Sequence, residues 1–177
     1  MIDNISTINI YINDNEHETN IVIHRNSILE ILTYLKLSSV WNINYAIDLI
    51  VLDCIENEFR FTLIYIMQTF TGNNTIKIIS KTNESLSIES SEIIFYAFSW
   101  SEREAYDMFG IFFINNRDLR RLLTDYGFSG HPLKKDFPLS GNKELNYSDS
   151  VKLVLYNKIE LSQNFRQLNI IHSWKIN

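Results

Sequence analysis

Glycine and proline are sharply segregated along this chain of 177 residues. Four of its five glycines and both prolines lie between Gly110 and Gly141. Glycine permits left-handed backbone, and proline fixes φ and removes a donor, so both punctuate regular elements. Residues 1–114 are therefore freer to sustain long helices and strands than the punctuated stretch that follows. The expectation is an α+β core over 1–114, an antiparallel or mixed sheet packed with helices, followed by a long extended C-terminal arm over 115–177.

Within the first part, residues 5–12 and 21–24 are short Ile-rich runs separated by a polar stretch, and read as strands of a hairpin or open sheet. Ser27-x-x-Glu30 has the pattern of a capping box, in which two side chains satisfy free N–H groups at a helix start. Ile28, Ile31, Leu32 and Leu35 follow at helical spacing, so a helix is predicted to run to about Leu37. Ile43, Tyr45, Ile47, Leu49 and Val51 alternate as one face of a strand, and Phe59, Phe61, Leu63, Tyr65 and Met67 do so more clearly. A turn at Gly72-Asn73-Asn74 leads to a third strand over 75–81, giving an antiparallel meander. Residues 90–100 read as a helix burying Ile93, Ile94, Ala97 and Phe98. A second capping box, Ser101-x-x-Glu104, should open a short helix closed by Gly110 in left-handed conformation.

Beyond Gly110 periodicity fades. Leu119, Leu122 and Leu123 suggest one helical turn, and 151–156 a short regular stretch. Large aromatics are scattered singly, among them Tyr126, Phe128, Phe137 and Trp174. Such a segment is too aromatic for simple disorder and too irregular to form its own core, so it reads as an arm lying on another protein. Arg120 and Arg121 are the candidates for interprotein ion pairs, because arginine forks suit desolvated carboxylates.

Composition excludes several classes. The net charge is −5 at pI 5.4, which argues against nucleic acid as a partner. The single Cys54 excludes an internal disulfide, and an iron–sulfur cluster needs about four thiolates. The four histidines show no metal-ligand spacing, and there is no glycine-rich phosphate loop, so no cofactor or metal is expected on this chain. The N-terminus carries Asp3, Asp14, Glu16 and Glu18 before its first arginine, Arg25, unlike a transit peptide or secretory signal. No uncharged apolar run approaches the ~18–20 residues of a membrane helix, so membrane association is expected only through other proteins. The chain has 27 Ile and 20 Asn but only 3 Ala, the slant of an A/T-rich gene of the kind found in organelle genomes and some bacteria.

Residues 101–139 hold the densest chemistry. Glu102, Glu104, Asp107, Asp118, Asp125 and Asp136 stand among Arg103, Arg117, Arg120, Arg121, Lys134 and Lys135. A carboxylate pair with His131 would be an acid–base set. The structural reading is that the carboxylates cap helices and bridge to the arginines, and it is favoured because nothing nearby supplies a nucleophile, metal or phosphate loop.

At this point the string resembles a known family. Trp100, Glu102, Arg103, Glu104, Tyr106, Asp107, Met108, Phe109, Gly110 and Ile111 match the W-x-E-R-E-x-Y-D-M-F-G-I block of the thirty-kilodalton subunit of respiratory complex I, the proton-pumping NADH:quinone oxidoreductase. Residues 118–139 match its D-L-R-R-I-L-T-D-Y-G-F-x-G-H-P-L-R-K-D-F-P-L block, with Leu122 for the usual Ile and Lys134 for the usual Arg. Asn115-Asn116-Arg117 stands where many members carry a His-containing turn. The resemblance implies a core subunit without flavin, cluster or quinone, working within a complex that uses FMN, iron–sulfur clusters, NADH and quinone. It implies packing against the forty-nine-kilodalton-type quinone-site subunit and proximity to the terminal-cluster subunit. It places the chain in the peripheral arm, on the matrix side of the mitochondrial inner membrane, or the cytoplasmic face in a bacterium. The motif residues Glu102, Arg103, Glu104, Tyr106, Asp107, Asp118, Arg120, Arg121, Asp125, Tyr126, Phe128, His131, Lys135, Asp136 and Phe137 become the expected partner interface. The alternatives are a stand-alone enzyme using Glu102, Asp107 and His131, or the equivalent subunit of a complex I-like membrane-bound hydrogenase.

Overall fold

The alternation around Phe61 builds the centre of a five-stranded sheet. The computed structural model describes residues 9–12, 18–69 and 75–166. The elements are β1 (Asn9–Ile12), β2 (Glu18–Ile23), α1 (Ile28–Leu37), β3 (Ile43–Asp53), β4 (Phe61–Thr69), β5 (Thr75–Thr82), β6 (Ile88–Glu89), α2 (Phe98–Phe109), β7 (Phe113–Ile114), β8 (Lys143–Ser148) and β9 (Leu153–Lys158). The Gly72-Asn73-Asn74 turn, residues 5–8 and Trp174 lie outside the described residues. Two compact units result, Met1–Phe137 and Pro138–Asn177.

In the first unit the strand order is β1-β2-β5-β4-β3. β3, β4 and β5 form the expected antiparallel meander, while β2 runs parallel to β5, so the sheet is mixed and the fold is α+β. Side chains alternate across a sheet, so cross-strand register defines its inner rows. One row is Ile21, Ile78, Tyr65 and Leu49; the next is Ile23, Ser80, Leu63 and Val51. These join Ile28, Leu32 and Leu35 of α1 and Phe98 and Ala105 of α2 in one hydrophobic cluster. Phe61, Leu63, Tyr65 and Met67 are fully buried, as the alternation predicts. Tyr65 meets Phe98 edge-on at 5.3 Å and Phe61 meets Phe109 at 6.2 Å. Phe59 precedes the strand and is partly exposed.

Several local expectations are corrected. Tyr45 and Ile47 point outward because β3 carries two register shifts against β4, between Ile43 and Tyr45 and between Ala46 and Asp48. Each inserts an extra residue and inverts the phase, so Ile43, Ala46 and then Leu49 face the core. Helix α1 runs as predicted, but Ser27 makes no capping bond. A 3₁₀ turn, Arg25–Ser27, enters the helix instead, with His24 accepting from the Asn26 N–H at 3.4 Å. Residues 90–97 are not helical: turns connect β6 to α2, Ile93 and Ala97 are exposed, and Phe95 is buried with Phe98. Ser101 is inside α2 and donates to Asp48 at 3.2 Å; it caps nothing. The helix does close as expected, with Gly110 at φ 78° and its N–H on the Tyr106 carbonyl.

Leu119, Leu122 and Leu123 form no helical turn. The segment from Asn115 to Phe137, expected as the start of the arm, belongs to the same compact unit as the sheet. In the second unit β8 and β9 pair as an antiparallel hairpin, Leu145 opposite Tyr156 and Tyr147 opposite Val154. All four of these side chains are more than half exposed.

Candidate functional site

Helix α2 carries the motif residues on two faces. Its inner face turns Glu102 and Asp107 into the protein, both with no exposed surface. A buried carboxylate is costly unless hydrogen-bonded. Glu102 Oε2 accepts from Ser90 Oγ at 2.5 Å and Asn116 Nδ2 at 2.9 Å. Its Oε1 accepts from Ser91 Oγ at 2.6 Å and the Ser91 N–H at 2.7 Å. One side chain thus ties the end of β6 and the turn after β7 to the helix.

Asp107 does the same for the glycine-rich loop. Its Oδ2 accepts from three successive backbone N–H groups, Leu122 at 3.0 Å, Leu123 at 2.7 Å and Thr124 at 2.9 Å. Its Oδ1 accepts from Thr124 Oγ1 at 2.6 Å and Arg121 Nη1 at 3.1 Å. Burial pushes the Asp107 pKa up, but the hydrogen bonds from Thr124, Leu123 and Leu122 outweigh it and hold the group at about 2. Arg121 Nη1 also donates to the Gly130 carbonyl at 2.9 Å. The His131 Nδ1 lies 2.9 Å from the backbone oxygen of Asp107, and since a carbonyl only accepts, the imidazole carries its proton there. The Leu133 N–H donates to the Met108 carbonyl at 3.1 Å. This loop has no hydrophobic period because polar bonds to one carboxylate shape it.

A third anchor holds the chain near Phe137. Arg60 makes a bidentate pair with Asp53 at 2.8 and 2.9 Å, and also pairs with Asp136 at 2.5 Å and with Glu84. The Lys135 N–H donates to Asp53 Oδ2 at 2.8 Å. The Arg60 guanidinium beside Asp53 holds that carboxyl below its usual range, and Asp136 is lowered likewise. Asp53 and Arg60 bracket the β3–β4 connection. The signal for them is a charged residue at the buried phase of a strand, Asp53 following Leu49 and Val51.

The outer face differs. Glu104 is exposed. Arg103 lies over the Trp100 ring at 5.2 Å and its Nε donates to the Arg120 carbonyl at 3.1 Å. Arg120 forks onto Asp118 at 2.5 and 2.6 Å. Arg121 is turned inward on Asp107, so of the two arginines only Arg120 points its charge to the surface. Tyr106 packs on the His131 ring at 6.3 Å, and Phe128 on Phe137 at 6.0 Å. Asp125 accepts from the Tyr126 N–H at 2.8 Å, and Tyr126 is 98% exposed. Arg103, Tyr106, Arg120, Arg121, Asp125 and Tyr126 are among the residues bordering a groove of about 570 Å³ between α2 and the loop.

Glu102, Asp107 and His131 are thus each engaged separately, with both carboxylates closed to solvent. Among the described residues no cluster of His, Cys, Asp or Glu has the arrangement of a metal site, and no helix is long and apolar enough to cross a membrane.

Residues 21–143 match the family model for the respiratory-chain NADH dehydrogenase, 30 Kd subunit. The chain is 39% identical over 158 residues to the C-type subunit of the NADH-quinone oxidoreductase of Rhodospirillum rubrum, covering 89% of this chain and 74% of that one. It is 38% identical over 162 residues to NADH-ubiquinone oxidoreductase subunit 9 of Dictyostelium discoideum, covering 89% and 78%. A chain in the solved structure of the membrane-bound sulfane sulfur reductase, an archaeal respiratory membrane complex, shares the fold with a TM-score of 0.65 at 18% identity, over 75% of this chain and 78% of that one.

Proposed function

The chain belongs to the family of the 30 kDa subunit of respiratory-chain NADH dehydrogenase, and from that membership we propose that it is a non-catalytic core subunit of the peripheral arm of complex I. Its task is to hold neighbouring subunits in register while electrons pass from NADH to quinone in a proton-translocating assembly. The observation that carries this reading is the use made of the motif carboxylates. Glu102 accepts four hydrogen bonds and Asp107 five, all from the chain's own backbone and side chains. A general acid or base must reach a substrate proton, and neither group has surface to do so. They build a rigid platform instead.

The partners are the forty-nine-kilodalton-type quinone-site subunit and the terminal-cluster subunit. The hairpin of the second unit supports such docking. Its face of Leu145, Tyr147, Val154 and Tyr156 is exposed, and a two-stranded hairpin gains independent stability only by packing on something else. FMN and the iron–sulfur clusters belong to other subunits, in keeping with the single cysteine here. The Ile- and Asn-rich, Ala-poor composition favours an organelle-encoded chain on the matrix side of the mitochondrial inner membrane, held there through the complex.

Truncation after Phe137 tests the reading, because it removes the second unit and leaves every anchor of the first intact. The expected result is a folded chain with loss of assembled complex on native gels and a matching loss of NADH-to-quinone electron flow. A fully active complex built with the truncated chain would overturn it.

A further inference from the structure

Arg103 differs from the arginines around it. Arg60, Arg120 and Arg121 each meet a carboxylate within the chain. No carboxylate among the described residues reaches Arg103 at ion-pair distance. Asp118, which feels its charge, is already held by both nitrogens of the Arg120 fork. Arg103 is nonetheless fixed, its Nε on the Arg120 carbonyl and its plane over Trp100. Part of the side-chain entropy that an arginine contact costs is therefore already lost before any partner arrives. The indole beneath it is 57% exposed, and Arg103 lines the groove together with Tyr126, which is 98% exposed. Tryptophan, tyrosine and arginine are the residues that dominate interface energies.

We propose that Arg103, preorganised over Trp100 and lining this groove, receives a carboxylate side chain from an acidic segment of the adjoining subunit. The inference rests on the chain's place in the complex and adds the chemistry of one contact. Charge complementarity selects the occupant. The guanidinium stacks on Trp100 and uses only its Nε within the chain, which leaves its two terminal nitrogens for a planar, two-oxygen acceptor. An aspartate or glutamate on a partner chain fits both requirements.

The test uses the assembled complex carrying Arg103→Lys, treated with a water-soluble carbodiimide. That reagent joins an amine to a carboxylate in direct contact; the amide forms and the carbodiimide takes up the water as urea. The expected product is a peptide containing position 103 linked to an aspartate or glutamate of another subunit, seen by mass spectrometry. The companion variant Arg103→Glu should lower assembled complex about fivefold or more, against less than about twofold for Arg103→Lys, while the full-length chain alone melts as wild type. A link only to this chain's own carboxylates, no link at all, or equal assembly by the two variants would overturn the proposal and leave membership of the complex standing. A wild-type chain that does not co-purify with the other subunits would overturn both.

Discussion

Asp107→Asn is the most informative single change. The substitution keeps shape and removes charge. Three backbone N–H groups point at Oδ2, so the amide oxygen must turn there; its NH₂ then meets Thr124 Oγ1, which can turn to accept, and Arg121 Nη1, a donor that loses its acceptor. The lowering of Asp107 from 3.8 to about 2 sets the scale of what the charged form contributes. At about 1.4 kcal/mol per pH unit, that is about 2 kcal/mol of folding stability. The sign follows from the direction. The unfolded carboxyl titrates near 3.8 and the folded one near 2, so the contribution is complete above about pH 5 and is lost as pH falls through the folded value. Denaturant unfolding at pH 7 should therefore show the variant about 2 kcal/mol less stable, with the gap closing toward pH 2. Amide hydrogen exchange gives the local reading: Leu122, Leu123 and Thr124 should exchange about tenfold or more faster in the variant, since each factor of ten is about 1.4 kcal/mol. Unchanged exchange at those three amides, with stability within about 0.5 kcal/mol of wild type, would refute the claim that this carboxylate holds the loop.

Phe61→Ala empties a fully buried site between β4 and α2 and should cost about 3–5 kcal/mol in denaturant unfolding. Gly110→Ala places a Cβ 2.7 Å from His131 Cδ2 and Nε2 at φ +78°; it should cost more than about 1 kcal/mol and speed amide exchange at Leu133, which hangs on the neighbouring Met108 carbonyl. Arg60→Ala leaves the Asp53 side chain, 2% exposed, without its cation. The cost at pH 7 should be about 3 kcal/mol, and the loss of stability that the wild type shows on acidification, as its lowered carboxyls protonate, should be smaller in the variant.

The parts of the fold that the amino-acid order discloses are those where a single period runs uninterrupted. α1 is legible because Ile28, Leu32 and Leu35 keep helical spacing, and β4 because four alternate residues from Phe61 to Met67 are buried. β3 defeats the same reasoning at Tyr45 and Ile47, since two inserted residues reverse the phase without any change in composition. The capping boxes mislead for a related reason. Ser and Glu three residues apart score as a helix start wherever they occur, but at Ser101 the helix had begun at Phe98, and at Ser27 a 3₁₀ turn had already used the entry geometry. The candidate site is legible as a string of matching motif residues, while its wiring is not. That Asp107 gathers the amides of Leu122, Leu123 and Thr124, or that Asp136 returns to Arg60, depends on chain separations over which no local pattern extends.

The two extra residues in β3 have a further consequence. β3 is the outer strand of the sheet beyond β4, eleven residues long and rich in Ile, Leu and Val. A flat strand of that length and composition would offer a template on which a second chain could add its own strand, the first step toward fibrils. Each inserted residue bends the backbone and breaks the even spacing of its outward N–H and C=O groups. A regular strand approaching that edge finds matching partners only over short stretches. The irregularity that packs Ala46 against the core and turns Tyr45 outward thereby also makes this edge a poor template for a second copy of the chain.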